Sequence, residues 1–130
     1  MDVREWLPRD KHDFEAVRKL SELGNEELRD IIPDLMEWLQ DGNWPIAKSV
    51  EDLFLRFGEE LIPHIKHVFR TRDSTWEYYM LTGLINRLPS KYLVMLKEDL
   101  ERLLKNPTED EVLEELNEII KPLLNKIQCP

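Results

Sequence analysis

The stretch Ile31-Ile32-Pro33-Asp34-Leu35 returns thirty residues later as Leu61-Ile62-Pro63-His64-Ile65. Each copy opens an apolar pattern of helical spacing, and self-similarity at such a period marks helix pairs that bury their seams by stacking on one another. Upstream of the first copy, Phe14, Val17, Leu20 and Leu23 recur at three-residue steps before Gly24, which predicts a first helix with a glycine stop. Asn25 can cap the next helix, whose face is Leu28, Ile31, Ile32, Leu35 and Leu39; Pro33 lies inside it and predicts a kink or break. The Asp41-Gly42-Asn43-Trp44-Pro45 turn then leads into a third helix carrying Ile46, Val50, Leu53, Phe54 and Phe57, closed by Gly58.

The second copy starts helix four, from Glu59 to about Thr71, with Pro63 tolerated in its first turn. Helix five, Thr75 to Arg87, is nearly apolar all round and so is expected at the centre. Pro89 ends it, Ser90 is the expected cap of helix six, and Leu93, Leu96, Leu100, Leu103 and Leu104 give that helix its seam. After Asn106-Pro107, Thr108 and Glu111 form a capping box for a last helix bearing Val112, Leu116, Ile119, Leu123 and Ile127, bent at Pro122. The segments group into pairs over 26–57, 59–88 and 91–127. The expected fold is all-α: a short α-α superhelix of HEAT or armadillo type, with about seven helices in three stacked pairs plus an N-terminal helix. One domain spans 1–130, and residues 1–12, rich in polar groups around Pro8, are expected to form an extended arm.

The composition narrows the partners. With 18 Lys and Arg against 27 Asp and Glu the formal charge is −9, which disfavours a nucleic-acid backbone and suits a basic protein, although acidity also serves solubility. Cys129 is the single cysteine, so no internal disulfide can form, as expected in a reducing cytoplasm. The uncharged stretch Tyr78 to Asn86 is too short to cross a bilayer, so no membrane role is expected.

Several phrases resemble a known family. Leu7-Pro8-Arg9-Asp10-Lys11-His12-Asp13, the Trp38-to-Pro45 turn, the Phe57-to-Pro63 junction and Asn106-Pro107-Thr108 are similar to a family of small bacterial proteins with a HEAT-like domain of unknown function. The resemblance implies an architecture and a bacterial origin. It implies no activity, cofactor or catalytic residue.

Four sets of residues are candidate sites. His64 and His67, with Glu60 a turn upstream, share metal-ligand spacing, but a solvated helix face explains them as well and no metal is assigned. Arg9, Asp10, Lys11, His12 and Asp13 form a polar cluster in which His12 and two carboxylates could supply an acid and a base, but no positioned nucleophile accompanies them; local capping and pairing are the first expectation, with a binding role for Asp10, Lys11 and His12 between the two. Trp44 and Trp76 stand at corresponding turns of successive pairs, where packing is the first expectation and a shallow aromatic groove the second. Tyr78, Thr82 and Asn86 follow at four-residue steps and make a neutral hydrogen-bonding strip on the helix that would line a concave face.

No glycine-rich phosphate loop, GxSxG elbow, cysteine pair or HExxH stands in the sequence, so an enzyme is not expected and no cofactor is assigned. The expected function is a non-enzymatic module, monomeric or a weak dimer, that binds a protein or peptide through its concave face and N-terminal arm. An immunity-type neutraliser of a basic toxin is one alternative. A HEAT-like enzyme such as a DNA glycosylase is another, disfavoured because it needs a cationic cleft, and small-ligand sensing near Tyr78 is a third.

Overall fold

The computed structural model describes residues 2–128; Cys129, whose role the sequence leaves open, lies outside them. The described residues are all-helical, without strands. The α-helices are α1 (Phe14–Ser21), α2 (Asn25–Leu28), α3 (Ile32–Met36), α4 (Ala47–Phe54), α5 (Ile62–Thr71), α6 (Ser74–Thr82), α7 (Ser90–Leu93), α8 (Lys97–Lys105), α9 (Glu109–Leu113) and α10 (Leu116–Gln128). They are shorter than the periodicity predicts, because single turns of 3-10 helix interrupt them.

Those interruptions recur with the repeat. A 3-10 turn precedes α3 at Arg29–Ile31, α5 at Glu59–Leu61 and α8 at Val94–Leu96. In each case the last residue of the turn, Ile31, Leu61 or Leu96, is sealed in the core. Pro33 and Pro63 then fall at the start of the new helix, where their missing N–H has no intrahelical partner to lose. Thus the break predicted at Pro33 is a restart of the helix.

The core follows the apolar spacing. Ile62, Ile65, Val68 and Phe69 of α5 are buried, as are Val50, Leu53 and Phe54 of α4. Helix α1 packs on α4, α3 on α5, α5 on α6, and α10 on α6, α7 and α8. Polar contacts tie successive repeats at their edges: Arg29 pairs with Glu60 at 2.8 Å and Lys66 with Asp99 at 3.0 Å. Arg56 donates to the carbonyls of Ser21 and Leu23, satisfying the C-terminal end of α1.

Several local expectations change. Val3–Trp6 form a 3-10 turn in place of an extended arm, because the Asp2 carboxylate caps the Arg4 N–H and Val3 and Trp6 pack against the core. Gly24, not Asn25, occupies the N-cap of α2, and the Asn25 amide donates to the Arg56 carbonyl. Pro89, not Ser90, precedes α7 as its N-cap. Phe14 and Val112, assigned to apolar seams, are exposed. The Thr108–Glu111 capping box forms as expected. Among the described residues no helix is long and apolar enough to cross a membrane.

Candidate functional site

The cluster Asp10, Lys11 and His12 forms a tied loop. The Asp10 carboxylate accepts from the His12 N–H at 2.8 Å, the Lys11 carbonyl accepts from the Ile46 N–H at 3.2 Å, and all three side chains are exposed. Asp13 caps α1 by accepting from the Ala16 N–H, and also takes the Arg9 N–H. The loop therefore docks the N-terminal segment onto the start of α4.

The two tryptophans do not meet in one groove. Trp44 stands edge-on to Trp38, with ring centroids 5.6 Å apart, and is half-buried. Trp76 is only 8% exposed and its indole N–H has no partner among the described residues.

The hydrogen-bonding strip is partly assembled. Tyr78 and Thr82 line a groove of about 370 Å³ between α4 and α6, with Asn43, Lys48, Glu51 and Tyr79. Gly42 and Gly83 also face it, and space is short at both. A Cβ on Gly42 would lie 2.6 Å from the Tyr79 ring, and one on Gly83 would lie 2.9 Å from the Tyr79 carbonyl oxygen. The Thr82 hydroxyl donates back to the Tyr78 carbonyl at 3.0 Å, and Asn43 donates to the Tyr79 hydroxyl at 3.0 Å. Burial pushes the Glu51 carboxyl up from its ordinary value, against the pull of Arg87, which donates to it at 3.1 Å. Asn86 lies outside this groove because α6 ends at Thr82 and a 3-10 turn, Ile85–Arg87, changes the register.

A second cleft, about 390 Å³, opens between α3 and α5 and holds residues from both copies of the repeated phrase. Pro33, Asp34, Met36, Glu37, His64 and His67 line it together with Trp76. Asp34 and His64 hold the same position in the two copies, and so do Glu37 and His67. Burial, and then the neighbouring His67, lower the His64 pKa from its ordinary value. Glu60 does not join the histidines, since Arg29 claims its carboxylate. Among the described residues no group of three or more His, Cys, Asp or Glu is placed to hold a metal ion.

Residues 6–124 match the family described as a domain of unknown function, DUF5071. The chain belongs to that family. No curated protein matches it. In this DUF5071 chain the span of the match takes in both grooves and the loop at Asp10 to His12.

One cluster escaped the sequence entirely. Glu77, in the middle of the apolar α6, is fully buried beside Arg102 of α8 and Glu111 of α9. Arg102 donates to Glu111 at 2.7 and 3.1 Å, whereas neither Glu77 oxygen has a hydrogen-bond partner among the described residues. Burial first, and the adjacent Glu111 carboxylate second, push the Glu77 carboxyl up to about 9. Burial acts upward on Glu111 too. It is outweighed there by the Glu77 carboxyl, Arg102 and the Thr108 N–H, which hold Glu111 down to about 2. One proton and one positive charge thus serve two acids, an arrangement that joins three helices. The second cleft did have a signal in the sequence, the equivalent positions of Asp34 and His64, whereas nothing local links Glu77 to a partner 25 residues away.

Proposed function

We propose that the protein is a non-enzymatic module that holds a protein or peptide, built as a short HEAT-like stack of helix pairs. The repeated 3-10 turn before α3, α5 and α8, and the packing of α3 on α5, support that stack. The observation that carries the functional reading is the groove between α4 and α6. Its Tyr78, Thr82 and Asn43 groups are neutral hydrogen bonders with an aromatic face, flanked by the charged Lys48 and Glu51. An extended peptide offers a donor and an acceptor at each residue and suits such a mixed polar and aromatic surface. The formal charge of −9 favours a basic partner through faster encounter, and a neutraliser of a basic toxin is the version of this reading that the charge supports.

The test is site-directed cross-linking. A photoreactive amino acid at position 78 should capture a discrete partner in the native host. Thr82→Arg, which fills the groove from an exposed position, should abolish capture without lowering Tm. Capture that survives Thr82→Arg would remove the groove from the reading.

A further inference from the structure

The cleft between α3 and α5 is unlike the α4–α6 groove in chemistry, and the two share no lining residue. We propose that it binds a primary ammonium or guanidinium group carried on an alkyl stem, as at the end of a lysine or arginine side chain. Charge is the first reason. The acidic side chains that line the cleft are Asp34 and Glu37, and the imidazoles of His64 and His67 stand beside them. The stem is the second. The Pro33 ring, the Met36 thioether and the Trp76 indole supply apolar wall, and an indole face attracts a cation above it. The volume, about 390 Å³, is at the small end of ligand sites, enough for one long side chain and too small for a helix.

The chain itself supplies a weak precedent. Arg4, on the N-terminal 3-10 turn, brings its Nε to 3.9 Å from the Asp34 carboxylate and donates from Nη2 to the Asp30 carbonyl at 3.3 Å. A guanidinium is already drawn to this carboxylate, at a loose distance and with both side chains substantially exposed, so an external cation can displace it. Two charges flanking the cleft on the repeat edge are held by other partners. Lys66 is held by Asp99 and Glu60 by Arg29.

The experiment is a titration of the isotope-labelled full chain followed by NMR, reading the Trp76 indole N–H and the His64 and His67 ring signals. The probes are N-acetyl-lysine methylamide, its arginine, norleucine and glutamate counterparts, and putrescine. The expected result is saturable movement with the lysine, arginine and putrescine probes alone. Asp34→Asn and Glu37→Gln should each weaken binding roughly three- to tenfold, and Arg4→Ala should strengthen it roughly twofold, with unchanged circular dichroism. Tighter binding of the lysine amide than of putrescine identifies a peptide as the source, and the reverse order identifies a free amine. An equal response to norleucine, or a lysine response that persists in the Asp34→Asn/Glu37→Gln double variant, overturns the assignment. Because Thr82→Arg leaves this cleft untouched, the outcome is independent of the α4–α6 groove.

Discussion

Arg102 lies 3.6 Å from the Glu77 carboxyl yet gives its paired donors to Glu111, leaving Glu77, just as buried, without a hydrogen-bond partner among the described residues. The consequence for stability has a definite sign. Glu77 titrates near 9 when folded and near the ordinary 4.5 when unfolded, so its contribution is complete below about 4.5 and is lost as pH rises toward 9. Glu111, held near 2, contributes above about 4.5, and that contribution is lost as pH falls toward 2. Glu77→Gln replaces a protonated acid by a neutral isostere. Its Tm should decline less than that of the wild type between pH 5 and pH 9, by thermal scans in matched buffers; parallel curves would show that Glu77 is ionised in the fold.

The capping box at Thr108 shares Glu111 with Arg102, since the Thr108 N–H donates to the same carboxylate oxygen that Arg102 Nη1 holds. Thr108→Ala should cost about 1 kcal/mol in urea unfolding, the usual effect of losing an N-cap hydroxyl. Thr108→Ser should restore most of it. A loss in Ser equal to that in Ala would place the effect in the threonine methyl group.

Glycine positions should separate cleanly. At Gly24 a Cβ meets only the flexible Glu27 carboxylate at 3.8 Å, so Gly24→Ala should change stability by less than about 0.5 kcal/mol. Gly83→Ala pushes a methyl against the Tyr79 carbonyl and the Glu51 carboxylate and should cost about 1–3 kcal/mol. Denaturant melts of both variants check the order.

Truncation of a repeat-junction residue should contrast with truncation of a surface one. Leu61→Ala empties a site 1% exposed and should cost about 2–5 kcal/mol, whereas Leu113→Ala, at 79% exposed, should stay within about 0.5 kcal/mol. Equal losses would mean that Leu113 is covered in solution.

The repeated phrase made the helix junctions legible because its apolar residues and its prolines point to one local conformation. The third junction shows which part mattered: Leu96-Lys97-Glu98 lacks the proline, yet a 3-10 turn and a fresh helix form there with Leu96 buried. A buried aliphatic at the end of the turn is common to all three junctions, and proline only accommodates it. Periodicity failed where a segment was too short to define a face. Phe14 opens α1, and Val112 lies in α9, which has five residues. The strip through Asn86 failed at Gly83, where α6 stops and the four-residue step no longer holds. Glu77 could not be read at all, since its partners arrive from α8 and α9 through tertiary packing.

The proton on Glu77 also changes what folding exchanges with the solvent. Near pH 7 the unfolded side chain is a carboxylate and the folded one an acid, so each chain takes up a hydrogen ion as it folds and carries one unit less negative charge than the formal −9. Unfolding enthalpies measured by calorimetry should therefore depend on the ionisation heat of the buffer, differing between phosphate and Tris, and that dependence should vanish in Glu77→Gln.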